Sequence, residues 1–118
     1  MTADTRIENW DEYSAGLRDR GKDLRGLHPE LVKGFVALNT GAATTRHLDA
    51  KTRELIALAV AVTTRCEGCI DSHSRKARAA GATKEEVAEA LGVAIALNAG
   101  AAFTYSLHVL DAFDGAGT

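Results

Sequence analysis

The chain has 118 residues, of which 46% are hydrophobic, 5% aromatic and 25% charged, and its formal net charge is -2. This length predicts a single domain, residues 1–118, with its own core and no need of metal or disulfide support. The small net charge excludes the basic surface that binds nucleic acid. With few aromatic residues, alanine supplies much of the apolar content, which favours helices.

Nothing in the sequence suggests export or a membrane span. The first ten residues, MTADTRIENW, lack the positive start and apolar run of a secretory signal. The longest apolar run, Leu55–Val62, is too short to cross a bilayer. We therefore expect a cytoplasmic protein that binds neither membrane nor nucleic acid. In that compartment two neighbouring cysteines are more often catalytic or metal-binding than a permanent cross-link.

Two amphipathic helices are predicted in the first part of the chain. Apolar residues recur at three- and four-residue spacing from Ile7 onward, which predicts a helix over about Ile7–Leu24. Pro29 suits the first turn of a second helix, where its missing N–H is not needed, and Gly41 is expected to end that helix.

A third and a fourth helix are predicted around the cysteines. Asp49 is expected to cap a helix from Ala50 to about Arg65, which is apolar on all sides after its start and is therefore expected to be buried. A bend at Cys66–Gly68 is followed by a helix to Ala80, and Gly81 is a suitable C-terminal cap.

The last part of the chain is also helical by pattern. The TKEE stretch, Thr83–Glu86, is a capping box that opens a helix running to Asn98. Gly100 is expected to interrupt it, with a final helix over Ala101–Phe113. Because no segment alternates with period two, the fold class predicted is all-α, a helical bundle of five to six helices.

The stretch RCEGCIDSHSRKARAAG, Arg65–Gly81, contains both cysteines of the chain. Cys66 and Cys69 fall at a predicted helix N-terminus, where free N–H groups and the helix dipole favour a thiolate. Their spacing lets the two sulfurs cycle between dithiol and disulfide. His73 lies one turn beyond Cys69 on the same face, where it is placed to take and return a proton.

Glu54 is the fourth candidate site residue. If the helices on either side of the turn run antiparallel, Glu54 and His73 lie at similar depth, within about one helical turn of each other. Glu54 is then able to orient His73, directly or through a water. It is equally well explained as a first-turn acid that complements the helix dipole.

Two alternatives to redox chemistry remain open. Cys66, Cys69 and His73 are good zinc ligands, and Glu54 would complete the four that a closed structural site needs. The cysteines are also compatible with simple packing in a core. In either case the protein is a non-enzymatic helical assembly module.

The segment LDAKTRELIALAVAVTTRCEGCIDSHSRKARAAGATKEEVAEAL, Leu48–Leu91, resembles the alkylhydroperoxidase D-like branch of the carboxymuconolactone decarboxylase superfamily. That branch has a glutamate, a C-x-x-C motif and a histidine four residues later, matched here by Glu54, Cys66, Cys69 and His73. The resemblance implies an all-helical fold, a trimeric or hexameric homo-oligomer, and a peroxiredoxin-type activity that reduces hydroperoxides. The decarboxylase branch lacks the cysteine pair, so decarboxylation is the weaker alternative.

The resemblance also implies a role for each site residue. Cys69 attacks the hydroperoxide and becomes a sulfenic acid, Cys66 closes a disulfide, and an external dithiol, protein or lipoyl-type, reopens it. His73 passes the proton with Glu54 behind it, and no cofactor or metal is implied. Helix position alone favours Cys66 as the more acidic thiol, so the assignment of Cys69 depends on the resemblance.

One feature departs from that branch. This chain has Glu67 and Gly68 where its peroxidase members carry a second histidine between the cysteines. A carboxylate beside a thiol opposes thiolate formation. We therefore expect slower peroxide turnover or a different physiological substrate.

Overall fold

The computed structural model describes residues 6–117, which form five α-helices and no strand. The helices are α1 (Trp10–Leu27), α2 (Pro29–Ala43), α3 (Ala50–Thr64), α4 (Glu67–Ala79) and α5 (Lys84–Gly115). The predicted all-α fold class is confirmed.

The central helix is α3, which packs against both α4 and α5. Its buried apolar residues are Leu58 and Ala61, and the other buried apolar residues of the described range are Ala77 of α4 and Ala94 of α5. Within the described range no large side chain is fully buried. The core of one chain is therefore thin and consists mostly of small side chains.

The first two helices pack on each other and attach to the rest of the chain through α1 and α4. Asn9 caps α1 by accepting the N–H of Glu12 at 3.0 Å. Arg75 of α4 bridges α4 and α1. Its Nη2 lies 2.9 Å from Asp11 Oδ1 of α1, and its Nε lies 3.0 Å from Oδ1 of the buried Asp71 of α4. This ion pair ties α1 to the helix that carries the cysteines.

The predicted helix caps are confirmed. Asp49 accepts the N–H of Thr52 at 2.8 Å at the start of α3. Thr83 and Glu86 form the reciprocal capping box of α5, with contacts of 3.1 and 2.9 Å. Beyond the end of α4, Gly81 adopts a φ of +88°, the left-handed conformation that a glycine reaches without strain.

Several predicted boundaries differ from the structure. The prediction that Gly41 ends the second helix is wrong, because α2 continues to Ala43, and α1 ends at Leu27 instead of about Leu24. Helix α1 begins three residues later than predicted, because Asn9 caps it. The turn before α4 is made by Arg65, which has a φ of 56°, rather than by the expected bend over Cys66–Gly68. Cys66 is consequently the N-cap of α4 and Glu67 its first residue.

The prediction that Gly100 interrupts the last helix is wrong. Helix α5 runs without a break over 32 residues, a length of about 48 Å. A glycine inside a helix costs only about 1 kcal/mol relative to alanine, and the alanine-rich flanks of Gly100 compensate for it.

Much apolar surface stays open in the single chain. Ile56 and Val60 of α3 are 49% and 55% exposed, so the prediction that this helix is buried on all sides is wrong for an isolated protomer. Every large apolar side chain from Val93 to Phe113 is exposed as well. The radius of gyration is 18.9 Å, compared with about 13.5 Å for a compact chain of this length.

Helix α5 is long and apolar enough to cross a membrane, judged by length and composition. The mean hydropathy of its most apolar 18-residue window is 1.5, and 6% of that window is buried. The sequence predicted two shorter helices here, separated at Gly100, and so did not predict a helix of this length. Such a helix does not by itself establish a membrane protein, because the core helix of a soluble protein passes the same test.

Candidate functional site

The cysteine pair lies at the turn between α3 and α4. Cys66 is the N-cap of α4, and its Sγ accepts the N–H of Cys69 at 3.2 Å. The two residues form a disulfide within the first turn, and their Cα atoms are 5.2 Å apart, inside the usual range. Both cysteines are partly exposed. The pair therefore lies at an accessible helix entrance, where its spacing had predicted it.

Opposing charges act on these sulfurs. The positive end of the α4 dipole and the free N–H groups of its first turn favour a thiolate in the reduced protein. The exposed Glu67 between the cysteines acts in the opposite direction. Cys66 is the N-cap and Cys69 the third residue of α4, so helix position still favours Cys66 as the more acidic thiol and does not by itself make Cys69 the nucleophile.

Glu54 and His73 are brought into direct contact. Glu54 is buried, 5% exposed, and its Oε2 lies 2.5 Å from Nδ1 of His73, nineteen residues further along the chain. The contact forms because α3 and α4 are joined by a tight turn and pack together, which places the two residues at the same depth. The alternative that Glu54 is a first-turn acid is wrong, because the first turn of α3 holds no acidic residue and the Glu54 carboxylate faces α4.

This contact fixes the orientation of the His73 ring. A carboxylate accepts hydrogen bonds, so Nδ1 donates to Glu54 and Nε2 is the nitrogen left to exchange a proton. His73 is half-buried and follows Cys69 by one helical turn. Glu54 and His73 are thus in direct contact, and Cys69 precedes His73 by one turn of α4, while Glu54 lies in the first half of α3 and the cysteines follow its other end.

Sequence reasoning missed a fifth residue, Arg53. Its Nε lies 3.6 Å from Oε1 of Glu54, and its Nη1 donates to Oγ1 of Thr45 at 2.9 Å. A basic residue directly before the candidate glutamate was the signal available. It is a poor signal, because adjacent residues on a helix usually point in different directions.

Helix α1 forms one wall of the cysteine turn. A β-carbon on Gly68 would lie 3.0 Å from Cδ1 of Leu17, so α1 rests directly on the backbone between the two cysteines. Beside this contact lies a groove of about 350 Å³. The groove is lined by Arg6, Ile7, Trp10, Glu67 and Ile70.

A larger apolar groove, of about 880 Å³, lies between α3 and α5. Ile56, Val60 and Leu97 line it, and none of the four predicted site residues does. At its polar edge the Nδ2 of Asn98 donates to Oγ1 of Thr63 at 2.8 Å. This groove is therefore separate from the cysteine turn.

The zinc alternative lacks the geometry it needs. In residues 6–117 no group of three or more His, Cys, Asp or Glu side chains is arranged to hold a metal ion. The sulfurs of Cys66 and Cys69 are bonded to each other, and Glu54 is directed to Nδ1 of His73. The four residues are thus arranged as a disulfide beside a hydrogen-bonded pair.

Similarity to known proteins agrees with this fold. Residues 29–112 match the model of the Carboxymuconolactone decarboxylase family. The chain belongs to this family. A relative from Haemophilus influenzae, of uncharacterised function, is 52% identical over 105 residues, which cover 89% of this chain and 93% of the relative. An uncharacterised Paracoccus denitrificans protein from a cox locus is 45% identical over 85 residues, 70% of this chain and 77% of that protein.

A solved structure extends the likeness to three dimensions. It is the apo form of a carboxymuconolactone decarboxylase family protein from Legionella pneumophila, 35% identical in sequence, with a TM-score of 0.71. The match covers 92% of this chain and 96% of that one. The expected membership of the carboxymuconolactone decarboxylase superfamily is confirmed, and its alkylhydroperoxidase D-like branch is compatible with the cysteine pair.

Proposed function

We propose that this family member is a thiol-dependent peroxidase, a disulfide oxidoreductase that reduces hydroperoxides through Cys66 and Cys69. The observation that carries the proposal is the 2.5 Å contact between Glu54 Oε2 and His73 Nδ1, one turn beyond Cys69 on the same helix. It provides an oriented proton-transfer group beside a cysteine pair at a helix N-terminus. Neither a structural disulfide nor core packing needs such a group.

The proposed reaction starts from the dithiol. His73 takes the proton of the Cys69 thiol, and the thiolate attacks the terminal oxygen of the hydroperoxide. The O–O bond breaks, Cys69 becomes a sulfenic acid, and the alkoxide leaves as an alcohol with the proton that His73 returns. The thiol of Cys66 then attacks the Cys69 sulfur, which forms the disulfide and releases water.

An external dithiol closes the cycle. Exchange through a mixed disulfide returns both cysteines to thiols and oxidises the partner by the same two electrons. The Cys66–Cys69 disulfide of this structure corresponds to the oxidised end of the cycle. The partly exposed position of both residues supports access by a protein or lipoyl-type dithiol.

The second part of the proposal concerns assembly. A homo-oligomer, trimeric or hexameric, is supported by the apolar residues of α5 that one chain leaves exposed and by the apolar groove between α3 and α5. Both features are explained if neighbouring copies cover them.

Single substitutions test the peroxidase proposal. With tert-butyl hydroperoxide and dithiothreitol as probes, we expect Cys69→Ser to abolish peroxide consumption. We expect His73→Ala to slow it about 10²–10⁴-fold, the usual contribution of a general acid–base group. His47→Ala, in the exposed loop before α3, is the matched control and should keep the wild-type rate. Full activity of Cys69→Ser would exclude the mechanism.

Mass spectrometry tests the intermediate directly. After a short peroxide pulse the reduced protein should lose two hydrogens, confined to the peptide that contains Cys66 and Cys69. In Cys66→Ser the sulfenic acid on Cys69 has no resolving thiol, so dimedone should trap it. A pulse that leaves the intact mass unchanged while peroxide is consumed would point to another reacting group.

A further inference from the structure

The two oxygens of the Glu54 carboxylate have different partners. Oε2 accepts from Nδ1 of His73 at 2.5 Å, while Oε1 lies 3.6 Å from Nε of Arg53. The glutamate side chain is 6% exposed and the arginine side chain 29%. A buried charge is stable only when it is paired, so each partner contributes to keeping this carboxylate in place.

The Arg53 guanidinium is itself held. Its Nη1 donates to Oγ1 of Thr45 at 2.9 Å, and that hydroxyl donates to the carbonyl of Leu48 at 2.8 Å. Arg53 Nε is buried and makes no hydrogen bond to the described residues 6–117. Arg53 Nε lies 3.6 Å from Oε1 of Glu54, too far for a hydrogen bond, so its interaction with that carboxylate is electrostatic.

Other charged groups near this pair are engaged elsewhere. On α4 the buried Asp71 binds Arg75, which also reaches Asp11 of α1. Between α3 and α5, Nζ of Lys51 lies 2.7 Å from Oε2 of Glu86. Arg53 is thus the cation that the fold directs at Glu54.

We propose that Arg53 is a positioning residue that holds the Glu54 carboxylate against Nδ1 of His73 and so keeps Nε2 of that ring available to the cysteine turn. Arginine stays charged at every relevant pH, whereas histidine gains and loses its charge during proton transfer. Arg53 therefore balances the buried carboxylate in both states of His73. Its effect on turnover rests on the proposed peroxidase function; its effect on the Glu54–His73 hydrogen bond does not.

The test compares Arg53→Met, which removes the charge, with Arg53→Lys, which keeps it. The matched control is Arg78→Met, on an exposed position of α4. The readout is the Nδ1–H proton resonance of His73 in protein labelled with ¹⁵N-histidine, a signal that a short bond to a carboxylate shifts downfield. We expect Arg53→Met to lose the downfield signal and both other variants to keep it.

Kinetics provide the second readout. Because Arg53 is expected to act through Glu54 and not on substrate, Arg53→Met should lower kcat by about tenfold with little change in KM for tert-butyl hydroperoxide. Arg53→Lys should recover most of the loss. A wild type without peroxidase activity whose resonance still depends on Arg53 would overturn the proposed function and support the positioning role.

An unchanged His73 resonance would refute the positioning role. If Arg53→Met folds and keeps the wild-type Nδ1–H resonance of His73, the inference is overturned, whatever the activity of the variant. If Arg53→Met does not fold, Thr45→Val decides, because it leaves Arg53 in place and removes the hydroxyl that holds Nη1, together with the bond of that hydroxyl to the carbonyl of Leu48. A shifted His73 resonance in Thr45→Val supports the inference, and an unchanged one refutes it.

Discussion

At the scale of single residues, Gly68 sets how closely α1 approaches the cysteine turn. Leu17 of α1 covers this glycine between the two cysteines. A β-carbon on Gly68 would lie 3.0 Å from Cδ1 of Leu17, which is tighter than ordinary contact, although the leucine end is partly exposed and able to yield. A side chain larger than a methyl group at position 68 would collide with Leu17.

We expect Gly68→Leu to destabilise the fold by about 1–3 kcal/mol, because overpacking pushes α1 off α4. Leu17→Ala should recover most of that loss, since it removes the side chain that collides. Urea unfolding of the oxidised protein measures both effects. Gly34→Leu, at an open position of α2, is the control and should not respond to Leu17→Ala. An equal loss with and without Leu17→Ala would contradict the contact.

These residues also show what the sequence determines and what it does not. The meeting of Glu54 with His73 follows from helix arithmetic, because a short turn joins two regular helices. The contact of Gly68 with Leu17 links positions 51 residues apart, and periodicity does not say which helix packs on which. The position of the Arg53 guanidinium depends on the rotamer of its side chain and on its hydrogen bond to Thr45. Neither can be predicted from the spacing of residues in the sequence.

At the scale of helices, the ends were predictable because local chemistry decides them. Gly81 has a φ of +88° and donates its N–H to the carbonyl of Arg78 at 3.1 Å, while the next N–H, of Ala82, reaches Ala77 at 3.0 Å. This pair of bonds is the Schellman motif that ends α4. The interior of α5 was harder to predict. A glycine ends a helix only where its neighbours are weak helix formers, and the neighbours of Gly100 are alanines.

The two kinds of glycine should respond in opposite ways to alanine. Gly81→Ala should cost about 1 kcal/mol or more, because alanine is strained at a positive φ. Gly21→Ala, inside α1 where nothing lies within 4 Å of the new methyl, should gain about 0.5–1 kcal/mol from helix propensity. Thermal unfolding of the two variants measures the difference. A gain in Gly81→Ala would mean that the α4 end has another conformation.

The start of α5 is predicted to respond to acid. Lys51, followed by the backbone N–H of Thr83, lowers the pKa of Glu86 below its usual value. A carboxylate with a lowered pKa stabilises the fold above its unfolded pKa, and this stabilisation is lost as the pH falls through its folded pKa. The unfolding temperature of Glu86→Gln should therefore lie below that of the wild type at pH 7.

The same difference in unfolding temperature should shrink as the pH falls and Glu86 becomes protonated in the folded state as well as in the unfolded state. Glu85→Gln, the neighbouring first-turn acid, is the control and should show a smaller difference at pH 7 because no ion pair with Lys51 is lost. If the difference in unfolding temperature between wild type and Glu86→Gln stays constant from pH 7 to pH 3, the carboxylate charge is not what stabilises the start of α5.

At the scale of the whole molecule, composition and periodicity predicted an all-α fold. They did not predict that one chain would leave so many apolar side chains exposed. The apolar residues of α3 are numerous enough to suggest full burial, yet only Glu54, Leu58 and Ala61 are buried in one chain. Helical periodicity shows which residues avoid water and does not show whether the covering surface is in the same chain. The radius of gyration, 18.9 Å, and the exposed apolar residues show that one chain leaves much of this surface uncovered.

Two kinds of surroundings suit an exposed helix such as α5, other copies of the chain or lipid. The polar contacts of Asn98, which donates to Thr63 Oγ1 and to the carbonyl of Ala94, both at 2.8 Å, lie at the edge of the α3–α5 groove. His108 lies further along the same helix and packs edge-to-face on Tyr105. Polar groups within an apolar surface are compatible with a protein interface and costly in the centre of a bilayer.

We therefore expect the protein to sediment without detergent at three or six times the 12.5 kDa of one chain. Leu97→Glu places a charge in the apolar groove and should shift the protein to monomers, because an unpaired charge is costly to bury in an interface. Leu27→Glu, at the exposed end of α1, should leave the assembly intact. Sedimentation velocity separates these cases. A wild type that is monomeric in buffer, or that dissolves only with detergent, would contradict self-assembly and, in the second case, assign α5 to lipid.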